Sequence, residues 1–157
     1  MTTTSTPLPP ADEGRLERGV VPLAPKRVKL ERVAGWRMPP DTVKVSRPGK
    51  WGNPFVVWYG ADSFGVDRWH VSDGSCHWQA DSKDAATALA VEKYEHWLRS
   101  WLANQIVAPH HVLHELRGKH LACWCDLDKP CHADVLLRYA NPERHNDQVK
   151  PGRSASA

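Results

Sequence analysis

Gly118-Lys119-His120-Leu121-Ala122-Cys123-Trp124-Cys125-Asp126-Leu127-Asp128-Lys129-Pro130-Cys131-His132 is the stretch on which the reading of the fold turns. Gly118 suits the position just past a helix end, His120 to Trp124 reads as a short strand, and Pro130 sits where a new helix begins. A helix-strand-helix passage of this kind belongs to layered α/β domains. The same run holds Cys123, Cys125 and Cys131, three of the four cysteines in the chain. Thiolates and imidazoles bind zinc or attack electrophiles, so their clustering in a cysteine-poor sequence needs a chemical reading.

Working outward, residues 109–117 predict a helix with Pro109 in its first turn and Val112, Leu113 and Leu116 facing inward. The longest helix is expected from Lys83 to Leu102. Asp81 or Ser82 would cap it, and Ala90, Tyr94, Trp97 and Trp101 would form its buried stripe. Pro130 opens a third helix ending near Ala140. On the strand side, Arg27 to Val33 alternates charged and apolar residues, which turns Val28, Leu30 and Val33 toward a core. Thr42 to Val45 is a second strand and Phe55 to Tyr59 a third, while residues 60–80 read as an excursion or hairpin. The expectation is a single small layered α/β domain, a short sheet with about three helices, over residues 26–141. Residues 1–25 and 142–157 lack any periodicity and are expected as flexible tails.

Composition narrows the function classes. At 157 residues and 41% apolar content the chain is one domain with an ordinary core. No stretch approaches the roughly 18–20 apolar residues that a membrane span needs, and Met1 to Pro7 is unlike a secretion signal, so a cytoplasmic protein with no membrane partner is expected. A reducing compartment argues against disulfides and moves the cysteines toward metal binding, catalysis or burial. The formal net charge of +3 is too mild to mark a dedicated nucleic-acid coat.

Between the second and third strands lies Arg47-Pro48-Gly49-Lys50-Trp51-Gly52-Asn53-Pro54-Phe55, a loop whose prolines and glycines forbid a regular helix. This loop, the Lys93-Tyr94-Glu95-His96-Trp97-Leu98 segment, and Cys123-Trp124-Cys125 with Pro130-Cys131-His132-Ala133-Asp134 resemble the small bacterial and phage family catalogued as domain of unknown function 4326. The resemblance spans most of residues 27–141. It implies a shared site without assigning a chemistry to it.

Three readings of that site stand side by side. As a metal centre, Cys123 and Cys125 leave one face of a strand, and Cys131 with His132 returns from the helix start to complete a zinc site. A single residue between paired cysteines is a less usual spacing than two, and Cys76-His77 is a further source of ligands. As a catalytic site, Cys131 or His132 at a helix N-terminus acts with Asp134 as nucleophile or acid and base. Arg47, Lys50, Trp51 and Asn53 then hold a small anionic ligand, a nucleotide or nucleoside above all. The plainer alternative makes Cys123 and Cys125 core residues and Trp51 a packing anchor. A competing function is a zinc-binding nucleic-acid module without catalysis, because Lys26, Arg27, Lys29, Arg32, Arg37, Lys44, Arg47 and Lys50 lie among Trp36 and Trp51.

Overall fold

A computed structural model describes residues 24–142. The two expected tails fall outside these residues, apart from residues 24, 25 and 142. In chain order the elements are β1 (Arg27–Lys29), β2 (Thr42–Lys44), β3 (Val56–Ala61), β4 (Asp67–Ser72), β5 (His77–Ala80), α1 (Lys83–Ala103), α2 (Pro109–Val112), a 3-10 turn (His114–Leu116), β6 (His120–Cys123) and α3 (His132–Ala140). The content is α/β, as expected, but the strands form two sheets of three rather than one.

The first sheet is parallel, in the order β1-β6-β2, with Arg27 beside Leu121 and Thr42 beside His120. Its central strand carries Leu121 and Ala122, both with no exposed surface, as a parallel strand covered on two faces requires. The alternation read through Val33 stops early. Leu30 still donates its N–H to the Cys123 carbonyl at 2.8 Å, but Val33 is 59% exposed. The cause lies in the partner: β6 ends at Cys123, so the chain beyond Leu30 has no ladder to join.

The second sheet is the antiparallel meander β3-β4-β5, which accounts for the excursion over residues 60–80. Its turns are fixed by aspartates: Asp62 Oδ1 accepts from the N–H groups of Phe64 and Val66, and Asp73 Oδ1 from those of Ser75 and Cys76. These bonds hold both carboxyl groups below the ordinary carboxylate range.

Helix α1 starts at Ser82, whose Oγ accepts from the Ala85 N–H at 3.1 Å. Its buried residues are Ala86, Ala90, Tyr94, Leu98 and Leu102, a strict four-residue step that packs on the meander and on α3. Trp97 and Trp101 flank this stripe instead of forming it. Trp97 is 37% exposed and stacks on Trp101, which sets its edge against Trp51. The helix expected over 109–117 is broken at Leu113 into α2 and the 3-10 turn. The tighter winding puts side chains three apart on one face, and Leu113 and Leu116 are both buried there.

Candidate functional site

Strands β2 and β6 run the same way side by side, so the chain leaves both at the same edge of the sheet. Ser46 and Arg47 follow one strand; Trp124 and Cys125 follow the other. Between them lies a cleft of about 250 Å³, lined by Ser46, Arg47, Asn53, Phe55, Val91, the cysteines 123, 125 and 131, and His132. Sites in open parallel sheets lie at this carboxyl edge.

The Arg47–Phe55 loop is bound tightly to the body. Gly52 folds back on Arg47 so closely that a Cβ there would stand 2.9 Å from the Arg47 backbone. The Arg47–Pro48 peptide is cis. Asn53 accepts from the Phe55 N–H at 2.8 Å and donates to the Ala90 carbonyl at 3.2 Å, and the Tyr94 hydroxyl donates to the Trp51 carbonyl at 3.1 Å. Of the four residues expected to hold a ligand, Arg47 and Asn53 line the cleft. The other two turn away: Lys50 pairs with Glu115 at 2.9 Å, and Trp51, only 5% exposed, donates its indole N–H to the same carboxylate. The Lys50 hydrogen bond holds the Glu115 carboxyl below its ordinary range, with Trp51 adding to the effect.

At the floor of the cleft three sulfurs meet. Cys123 ends β6, Cys125 lies two residues on, and Cys131 caps α3, its Sγ accepting from the Ala133 N–H at 3.4 Å. The Sγ atoms all lie within 4.8 Å of one another, with Cys123 and Cys125 at 3.7 Å. Hydrogen bonds from the Cys125 and Cys131 thiols push the Cys123 thiol far down, and bonding to Cys123 pushes the other two up. Crowded thiols without a cation ionise one at a time. The three cysteines are disposed to hold a metal ion.

His132 stands beside the trio without joining it; among the described residues no fourth His, Cys, Asp or Glu lies within 4.8 Å of all three sulfurs. Its Nε2 is 2.8 Å from the Val45 carbonyl, which can only accept, so the proton is on Nε2 and Nδ1 faces Cys131 Sγ at 3.7 Å. The ring is buried, edge-on to Tyr94. Asp134 does not line the cleft. Its carboxylate takes a 2.6 Å bond from Arg27, and burial, outweighing that cation, pushes its pKa up. Cys76 is exposed in the β4–β5 turn, and His77 bonds instead to His70 at 2.7 Å.

Two residues matter here that the sequence did not mark. Arg27 reads as one charge on an alternating strand, yet its guanidinium also donates to the carbonyls of Asp126, Leu127 and Lys129 and so holds the loop between Cys125 and Cys131. Ser46 is 4% exposed and its Oγ has no hydrogen-bond partner among the described residues. Neither has a motif; only the register of β1 and β2 against β6 brings them to the site. Of the cations read as a basic surface, Arg27, Lys29 and Lys50 are committed to internal carboxylates. Among the described residues no helix is long and apolar enough to cross a membrane.

No curated protein and no solved structure matches the chain. The model of the family described as Domain of unknown function (DUF4326) matches residues 28–142, which include both exit loops, the thiol trio and Arg47, and the chain therefore belongs to that family.

Proposed function

We propose that the chain binds a small anionic ligand of the nucleotide or nucleoside class in the cleft and processes it with the thiol cluster at the floor. The observation that carries this reading is Ser46 Oγ, buried in a residue that lines the cleft and without a partner among the described residues. Buried polar groups are nearly always satisfied, so an orphan hydroxyl at a cleft wall calls for a group from outside the chain. Beside it Arg47 is exposed, lines the same cleft, and has no ion pair among the described residues. A guanidinium in that state suits phosphate or carboxylate. Phe55, Val57 and Val91 supply an apolar wall for a ring. In this reading Cys123, Cys125 and Cys131 carry the chemistry, with His132 Nδ1 3.7 Å from Cys131 Sγ and Asp134 bonded to Arg27.

Calorimetric titration with nucleosides, nucleoside phosphates and inorganic phosphate tests the reading. A nucleoside phosphate should bind, and Arg47→Ala should weaken it at least tenfold, about 1.4 kcal/mol. Equal affinity in wild type and Arg47→Ala, or no binding of any of these compounds, would overturn it. A second reading, the zinc-binding nucleic-acid module, is favoured by Trp124, which lines the cleft, is 41% exposed and carries the Arg32 guanidinium 4.7 Å over its ring. It requires single-stranded oligonucleotide to bind with a steep salt dependence and without turnover.

A further inference from the structure

We infer that Cys123, Cys125 and Cys131 form a three-thiolate site for one zinc-class ion whose fourth coordination position opens on the cleft. That the cleft ligand can occupy this position rests on the reading above; the three-sulfur site does not.

The spacing comes first. Zinc–sulfur bonds of about 2.3 Å in a tetrahedron set neighbouring sulfurs about 3.8 Å apart. Cys123 and Cys125 already stand at 3.7 Å, and Cys131 completes a triangle with no edge above 4.8 Å. An ion seated on this triangle needs only small side-chain adjustments. The backbone is built to keep the triangle: Cys123 is held by the β6 ladder, Cys131 by its cap on α3, and the intervening loop by three carbonyls bonded to Arg27. Three thiolates on a divalent ion leave one net negative charge, and the Arg27 guanidinium, with 7% side-chain exposure, lies against the same loop to offset it. Soft sulfur donors select zinc over magnesium, calcium or manganese.

The fourth position distinguishes a closed structural site from an open one. Among the described residues His132 lies beside the trio, and it does not complete the set. The Nε2 bond to Val45 at 2.8 Å and the edge-on contact with Tyr94 at 5.2 Å fix the ring, which presents Nδ1 to Cys131 Sγ at 3.7 Å but stays outside the group formed by the three sulfurs. All three cysteines line the cleft. The open position therefore faces the space where Ser46 and Arg47 await a partner.

The test is metal analysis of the full chain, purified without a His-tag under reducing conditions, followed by exchange to cobalt(II). One ion per chain is expected. The cobalt form should show thiolate charge-transfer absorption and tetrahedral d–d bands that shift when free imidazole is added. Cys125→Ser and Cys131→Ser should each weaken cobalt binding at least tenfold, with Cys76→Ser unchanged. His132→Gln should keep the cobalt spectrum. Circular dichroism checks folding, and if Cys131→Ser does not fold, the half-buried Cys125 gives the deciding variant. A folded chain that takes up no ion overturns the site. Bands inert to imidazole, or a folded His132→Gln that loses the ion as fully as the cysteine variants, overturn the open position. Arg47→Ala should leave metal content unchanged, which separates failure of the metal site from failure of the ligand reading.

Discussion

Arg27 and Asp134, 107 positions apart in sequence, meet through a 2.6 Å hydrogen bond between guanidinium and carboxylate. The two ends differ in burial, with 7% of the arginine side chain exposed against 54% of the aspartate's. The arginine also serves three backbone carbonyls, while the aspartate is half in water. The pair thus works mainly as a fastening for the loop between Cys125 and Cys131.

Asymmetric losses should follow. Arg27→Ala should cost about 2–4 kcal/mol, since it strands carbonyls that lose charge-assisted bonds. Asp134→Asn should cost under about 1 kcal/mol, as for an exposed ion pair. Urea unfolding of both variants measures the difference. Equal costs would show that the carboxylate, not the loop, is the main partner of Arg27.

Ser46→Ala should have opposite effects on stability and binding. Removing a buried hydroxyl that has no partner should leave the free chain as stable as before or stabilise it by up to about 1 kcal/mol. The same change should weaken whatever ligand the cleft takes. Thermal unfolding with and without a bound nucleotide gives both numbers, and a destabilised free variant would mean that Ser46 Oγ is satisfied in solution.

Much of the architecture was legible because it rests on short-range signals. The Ser82 cap, the Gly118 helix end and the Pro130 helix start are local chemistry, and each lies where the sequence reading put it or within two residues. The α/β class was legible, but the division of its strands into two sheets was not: nothing local says that β6 enters between β1 and β2 while β3 to β5 pair among themselves. The site divided along the same line. Arg47, Asn53 and the cysteines carry their own marks, whereas Arg27 and Ser46 acquire meaning only from register. Lys50 and Trp51 sit in a conspicuous motif, yet Glu115, some 64 residues away, decides where they point.

Glu115 gives the protein a pH-dependent fastening. Its carboxyl is held below the ordinary value of 4.5, first by the hydrogen bond from Lys50. A depressed folded-state pKa contributes stability that is present above that ordinary value and lost as the pH falls through the lower folded one. With 42% of its side chain exposed the contribution should be under about 1 kcal/mol. Glu115→Gln should lower the urea midpoint at neutral pH, and the gap to wild type should close as the pH drops below 4.5. A gap independent of pH would assign the effect to shape rather than charge.

The place of β6 in its sheet sets an order of assembly. It is the last strand among the described residues and the middle one in the sheet. As the protein is synthesised, the meander and α1 are complete once residue 103 has emerged, while β1 and β2 still have nothing to pair with. Non-local parallel pairing of this kind comes late and slowly. The cleft cannot exist on a nascent chain until residues 120–140 are free of the ribosome, and a chain interrupted before that point has no cleft for a ligand or an ion.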